Sequence, residues 1–200
     1  IAWVAGKRPW PPLRWLAAAV VIIVLGRIAR DPRIVGDAIG TRPVDLLIMA
    51  MERLGATIDI ESGYAVARAP KGLRGGEIVF PKVTVGGTHV AVMAASLARG
   101  TTVIENAAQE PEVKDVADCL VKMGAKITGA GTPRIVIEGV SRLGPARHNV
   151  VPDRIETGTY AMAVAMTGGD VMLQGARPEL LQSTLDVLEQ VGADGRLPRF

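Results

Sequence analysis

The chain repeats itself, and that repeat limits its fold more than any single motif does. Leu54-Gly55-Ala56-Thr57-Ile58, Met123-Gly124-Ala125-Lys126-Ile127 and Val191-Gly192-Ala193-Asp194 share one pattern at spacings of 69 and 68 residues. Each closes an amphipathic stretch, Val44 to Leu54, Val113 to Met123 and Leu180 to Val191. In each, the glycine is suited to the left-handed position that ends a helix, and the Ala-x-Ile after it opens a strand. A second pair, Ala98-Arg99-Gly100-Thr101-Thr102-Val103 and Thr167-Gly168-Gly169-Asp170-Val171, recurs at 68 residues and also follows helical stretches. A chain with such a period is built from repeated supersecondary units.

The stretches before this second pair, Thr88 to Leu97 and Thr157 to Met166, are rich in Ala, Val and Met and carry almost no charge. A helix apolar on every side is expected to be buried on every side. Glu77-Ile78-Val79-Phe80 and Arg134-Ile135-Val136-Ile137-Glu138 are short apolar runs bounded by charge or Gly/Pro, as in sheet with one packed face. One unit reads helix 88–99, strand 101–104, helix 112–123, strand 126–129 and strand 134–138. The expected fold is α/β with helices inside and sheet outside, the reverse of a TIM barrel. The unit restarts near Val150-Val151-Pro152-Asp153-Arg154, which places a domain boundary at Val151/Pro152. The third repeat is unfinished.

Charge divides the chain further. The whole carries 23 Lys+Arg against 20 Asp+Glu. Residues 1–33 hold six of those cations and one anion, leaving 17 cations and 19 anions for the rest. The body is therefore slightly acidic, and the basic balance is no argument for nucleic-acid binding. Residues 1–33 also contain all three tryptophans and an apolar run of eleven residues from Trp15 to Leu25. That run is short of the roughly 20 residues that span a bilayer. Arg27 and Arg30 follow it where a signal peptidase site would lie, so it reads as a helix at a cut chain end, not as an anchor. A lone cysteine, Cys119, excludes a disulfide framework, and two histidines disfavour a histidine-built metal site.

Three clusters could carry chemistry. In Gly36-Asp37-Ala38-Ile39-Gly40-Thr41-Arg42-Pro43-Val44-Asp45, Arg42 stands before a helix whose free N–H groups also favour an anion. The competing reading has Thr41 capping that helix, Pro43 in its first turn and Arg42 solvated. In Lys82-Val83-Thr84-Val85-Gly86-Gly87-Thr88, the glycines allow a ligand close to the backbone and Lys82 could neutralise a phosphate. The alternative is an ordinary strand-to-helix turn. Glu110-Pro111-Glu112 and Asp153-Arg154-Ile155-Glu156 supply carboxylates near an arginine, for acid–base work or for an ion pair across the boundary. His89, His148 and Cys119 are weaker candidates, and Cys119 on its amphipathic helix reads as packing.

Four segments then resemble one family closely and in order: Ile39 to Leu46, Gly100 to Ala108, Glu110-Pro111-Glu112 and Pro152 to Thr159. They are similar to the UDP-N-acetylglucosamine 1-carboxyvinyltransferases, the enolpyruvyl transferases that open peptidoglycan synthesis. The resemblance runs from about Gly36 to Ala193. It implies two domains, each an inside-out α/β barrel of three repeated units, with the active site in the cleft between them. The implied reaction adds the 3′-hydroxyl of UDP-N-acetylglucosamine to phosphoenolpyruvate and eliminates phosphate in the cytoplasm. It needs cations for phosphate and carboxylate, a base and an acid. No metal or organic cofactor is implied, nor a nucleic-acid partner or stable membrane association.

By the same resemblance, Arg42 is similar to the arginine of the phosphoenolpyruvate site. Arg42, Pro43, Val44, Asp45 and Leu46 match a segment that contacts the UDP-sugar. Lys82, Val83, Thr84, Val85 and Gly86 match the segment that holds uridine and diphosphate. Glu110, Asp153 and Arg154 match positions near the cleft. Asp37 falls where most members carry a cysteine that serves as general acid and some carry Asp. The sister enzyme of the shikimate pathway shares the fold but lacks the Arg42-to-Asp45 and Lys82-to-Val85 segments, and ranks second. A remnant that binds UDP-sugar without catalysis is the reading from another class. Residues 1–33 do not match, and a counterpart of the family's N-terminal Lys-Asn pair is absent. So are the aspartate base and phosphate-binding arginines of the second domain. The expected organisation is an atypical segment 1–33, a partial first domain 34–151 and the beginning of a second over 152–200, as in a fragment.

Overall fold

A computed structural model describes residues 44–61, 64–168, 170–193 and 198–200. They form two compact units that divide between His148 and Asn149. The first contains α1 (Asp45–Arg53), β1 (Thr57–Glu61), β2 (Tyr64–Arg68), β3 (Glu77–Val79), α2 (Val85–Ala95), β4 (Thr101–Glu105), α3 (Pro111–Lys122), β5 (Lys126–Thr128) and β6 (Arg134–Glu138). The second contains α4 (Arg154–Thr167), a 3-10 turn (Pro178–Leu180) and α5 (Gln182–Gln190). The apolar run at 15–25 and the loop containing Asp37 and Arg42 lie outside the described residues. No helix among the described residues is long and apolar enough to cross a membrane.

The period seen in the sequence has a backbone cause. Gly55, Gly124 and Gly192 take φ of 87°, 102° and 83°, the left-handed conformation in which a side chain is strained. Each follows its helix, and Ala56 and Ala125 turn back into β1 and β5. Gly100 and Gly168 also have positive φ. After Gly100 the chain enters β4, but after Gly168 it makes only an isolated bridge, Met172 with Arg199, where the repeat predicts a strand.

Four strands make one sheet in the order β3-β4-β6-β5, parallel at β3/β4 and antiparallel elsewhere. The register sets Ile78 opposite Ile104 and Ile104 opposite Ile135, a row of three fully buried isoleucines across the sheet. Ile137 and Thr102 pair next to them and are also fully buried. Alternate residues of β6 remain exposed or half-buried. One face of the sheet thus packs on helices and the other meets solvent. Leu46, Ala50 and Leu54 from α1, Ala91, Val92 and Ala95 from α2, and Val113, Ala117 and Leu120 from α3 complete that core. β1 and β2 form a separate two-stranded ladder.

Among the two helices expected to be buried all round, α2 is close to that. Thr88, Ala91, Val92, Ala95 and Ser96 are buried and most neighbours are half-covered. α4 is not. Its buried positions are Gly158, Ala161 and Val164, while Ile155, Tyr160, Met162 and Met166 are exposed, Met166 at 84%. The physical reason is supply of neighbours. Among the described residues of the second unit, α4 has α5, a 3-10 turn and one bridge to pack against, and no sheet.

Candidate functional site

Three of the segments singled out in the sequence meet at one end of the first unit. The hub is the start of α2. Thr84 is its N-cap, with an extended backbone and a side-chain oxygen that accepts the Gly87 N–H at 3.2 Å. That bond draws the helix start back to Val85, three residues before the Thr88 start expected from apolar spacing. Gly86 and Gly87 therefore form the first helical turn and are not a free phosphate loop. Gly86 faces α1, with Leu47 Cδ1 3.7 Å from where its Cβ would stand. A Cβ on Gly87 would lie 2.5 Å from the Thr84 methyl and 3.0 Å from the Phe80 ring. Gly87 thus serves packing against Phe80, which is 1% exposed, and not access for a ligand.

A direct consequence is testable by urea denaturation. Gly87→Ala is expected to lose about 1–3 kcal/mol, from overpacking at Phe80 and a displaced Thr84 cap. Gly86→Ala, with only an ordinary contact to Leu47, is expected to be neutral or to gain up to about 1 kcal/mol from helix propensity.

The loop after β4 is tied to the same place. Asn106 adopts φ of 57°, the left-handed region, and its side-chain amide donates to the Phe80 carbonyl at 2.9 Å. Thr88, fully buried, accepts the Ala108 N–H at 3.0 Å and donates to the Thr84 carbonyl at 2.7 Å. These two bonds hold 106–108 against 80–88 and fix where Glu110 emerges as the residue before α3. Neither Asn106 nor Thr88 stands out in sequence as a positioning residue. The available signal was an Asn following an apolar strand and preceding Ala-Ala.

Glu110 is half-buried, and its Oε2 is buried with no hydrogen-bond partner among the described residues. His89 Nε2, next to Thr88 in sequence, is in the same condition. A buried carboxylate oxygen left unpaired costs about 1–3 kcal/mol or more, so such an atom marks a place where a donor is expected. Lys82 and Val83 are exposed before the Thr84 cap, and Lys82 has no ion-pair partner among the described residues. No acidic residue occupies the first turn of α2, so its N–H groups and Lys82 give that corner a positive character.

Other expected residues divide between site and scaffold. α1 begins at Asp45 with Val44 as N-cap and no side-chain cap bond from it, and Thr41 lies outside the described residues. Leu46 is 7% exposed and belongs to the core. Asp45 is exposed in the first turn. Asp37, Arg42 and Pro43 lie outside the described residues. Asp153 belongs to the second unit, where its carboxylate caps α4 by accepting the Ile155 and Glu156 N–H groups at 2.9 and 3.0 Å. Arg154 begins that helix. Cys119 is a free thiol of intermediate burial on α3. Among the described residues no group of three His, Cys, Asp or Glu is placed to hold a metal ion.

Residues 19–196 match the model of the EPSP synthase (3-phosphoshikimate 1-carboxyvinyltransferase) family. The chain is 77% identical over 158 residues to a UDP-N-acetylglucosamine 1-carboxyvinyltransferase of Nitrobacter hamburgensis. It is 78% identical over 158 residues to one of Afipia carboxidovorans. In each case the match takes in 79% of this chain and 37% of the relative, so the chain spans a little over a third of the curated relatives' length. Among solved structures, the enolpyruvyl transferase NikO from Streptomyces tendae superposes with a TM-score of 0.58. It is 22% identical, over 76% of this chain and 39% of that one. EPSP synthase from Acinetobacter baumannii gives 0.55 at 22% identity, over 76% and 35%. These two likenesses concern the fold, an α/β architecture that the sheet and buried helices above share.

Proposed function

The chain belongs to the EPSP synthase family, the enolpyruvyl (carboxyvinyl) transferases, and on that premise we propose that it takes part in one transfer of that class: enolpyruvyl from phosphoenolpyruvate to the 3′-hydroxyl of UDP-N-acetylglucosamine. The observation that carries this choice of acceptor is the 77–78% identity to relatives that bear that enzyme's name. Residues 34–151 are read as part of a first domain and 152–200 as the beginning of a second. The division of the structure between His148 and Asn149 supports that reading. The reaction is the committed entry to peptidoglycan, carried out in the cytoplasm.

In this reading the chain's own contribution is a binding corner. Lys82 and the first-turn N–H groups of α2 face the diphosphate, with Val83 to Gly86 along the uridine side. Val44 and Asp45 border the sugar, and Arg42 holds phosphoenolpyruvate by carboxylate or phosphate. Glu110, with its unpaired buried oxygen, accepts a donor from substrate or from an arginine that closes over it. Asp37 is the general acid for the enolpyruvate methylene. Asp153 and Arg154, at the start of α4, are the second domain's proposed contribution to binding. A preorganised set of this kind stabilises the charge that develops on the transferring group.

Calorimetry on the isolated chain tests the corner without requiring turnover. Lys82→Ala is expected to weaken UDP-N-acetylglucosamine by about 10- to 150-fold, the value of a charge-assisted contact of about 1.5–3 kcal/mol. Unchanged affinity would remove the diphosphate role from this segment. Tight binding of shikimate 3-phosphate in place of the UDP-sugar would favour the sister enzyme.

A further inference from the structure

The loop between β4 and α3 is held by three successive ties, each to a different element. Asn106 reaches the Phe80 carbonyl through its side chain. The Ala107 N–H donates to the Pro133 carbonyl at 2.9 Å, and the Ala108 N–H donates to Thr88 Oγ1 at 3.0 Å. Gln109 is exposed, and Glu110 then opens α3 by accepting the Val113 and Lys114 N–H groups at 2.9 and 3.3 Å. Among the described residues the Thr88 bond is thus the last tie before Glu110. Of the three it alone joins the loop to α2, the helix whose start follows Lys82.

A hydroxyl has one proton and two lone pairs, and Thr88 uses both kinds. Its proton goes to the Thr84 carbonyl at 2.7 Å, one turn back, while a lone pair takes the Ala108 N–H. The Thr84 carbonyl also accepts the Thr88 N–H at 3.0 Å, and the Thr84 side chain caps the helix at Gly87. One chain of bonds therefore runs from Ala108 through Thr88 to Thr84, two residues after Lys82. A threonine inside a helix commonly turns its hydroxyl to the carbonyl four residues back and gains little by it. Here the same bond leaves a lone pair for a second segment. Thr88 and Ala108 are both fully buried, so an Ala108 N–H deprived of this acceptor is orphaned in the interior.

We propose that Thr88 is a positioning residue for the binding corner: its hydroxyl sets the Glu110 carboxylate against the start of α2, and Thr88 acts on substrate affinity through Glu110. No protein group holds Glu110 Oε2 among the described residues, so the place of that atom depends on the backbone that carries it. The proposal rests on the functional reading above, in which Lys82 and Glu110 serve one bound substrate.

A double-mutant cycle on the 200-residue chain, read by calorimetry with UDP-N-acetylglucosamine, tests it. Thr88→Val keeps the branched shape and removes the hydroxyl. It is expected to weaken binding about tenfold when Glu110 is present. Once Glu110→Gln has been made, the same change should cost less than about twofold. Thr88→Ser, which keeps the hydroxyl, should bind within about twofold of the unmodified chain. A role in the scaffold alone would cost the same factor with either residue at 110. In the ligand-free protein, amide exchange at Ala108 should rise about tenfold in Thr88→Val and stay unchanged in Thr88→Ser. Amides of Ala117 and Ile135 report whether each variant remains folded. If Thr88→Val does not fold, Thr88→Ala, which favours the helix, takes its place in the same cycle. Equal losses in the two backgrounds, a Ser variant no better than the Val variant, or an unchanged Ala108 amide would overturn the proposal. Absence of binding by the unmodified chain would overturn the functional reading, and this proposal with it.

Discussion

Phosphoenolpyruvate and UDP-N-acetylglucosamine incubated with the purified 200-residue polypeptide should yield no inorganic phosphate above a heat-denatured control. In the reading proposed above, the chain supplies a binding corner, cations in Arg42 and Lys82, and an acid in Asp37. By the resemblance, the 200 residues have no counterpart of the family's N-terminal Lys-Asn pair, of the aspartate base, or of the second domain's phosphate-binding arginines. Losing one preorganised donor costs about 10²- to 10³-fold in rate. Groups that act as a set fail together, so several missing members put turnover below detection. The same sample should bind UDP-N-acetylglucosamine by calorimetry, which separates an inactive folded chain from an unfolded one. Phosphate release that scales with protein concentration would show that these residues alone close an active site.

An equally large effect is expected at Asp37. By resemblance it occupies the position where most of the family carries a cysteine and where the epoxide antibiotic fosfomycin attaches. A thiolate is a strong nucleophile toward an epoxide and a carboxylate is a poor one, so an enzyme with Asp at this place should be insensitive. Asp can still deliver a proton. Its reference pKa of about 3.9 leaves it ionised at neutral pH, so the site must favour the protonated form. A carboxyl group is pushed toward its protonated form by desolvation and by nearby negative charge, which bound phosphoenolpyruvate would supply. The experiment uses a complete relative carrying this loop in three forms: Asp37, Asp37→Cys and Asp37→Ala. The Cys form should be active and inactivated by fosfomycin, the Asp form active and untouched, and the Ala form slower by about 10²-fold or more. Full activity in the Ala form would end the general-acid assignment.

Much of this was legible before any coordinates. Gly55, Gly124 and Gly192 announced three helix ends because a left-handed residue is selected by its own backbone, whatever surrounds it. The runs Ile78-Val79 and Ile135-Val136-Ile137 announced one-sided strands, since alternate side chains of a strand point to opposite faces. The resemblance marked which segments belong to a site. What it could not convey is how those segments are held: Asn106 bonding Phe80 across 26 residues, and Thr88 bonding Ala108 across 20.

Where the sequence left a choice open or overreached, context decided. Gly86-Gly87 admits both a ligand loop and an ordinary strand-to-helix turn, and it is the turn that the Thr84 side chain, capturing the Gly87 N–H, and the Phe80 ring beside it build. Thr157 to Met166 reads as a helix buried all round, yet Ile155, Tyr160 and Met162 are exposed and Met166 nearly fully so. Apolar composition states what a helix requires of its neighbours and not whether they are there.

Sequence by itself therefore determined the repeat, the helix ends, the strand faces and the family, because each rests on residues within a few positions of one another. Tertiary structure alone decided that 44–47, 80–88 and 106–110 share one end of a unit, and that Glu110 keeps a buried oxygen without a partner. It alone brought His148 to Asp115, 33 residues away. Those arrangements follow from closing loops between distant residues and packing one face of a sheet on three helices, and no local pattern encodes which distant atoms then meet.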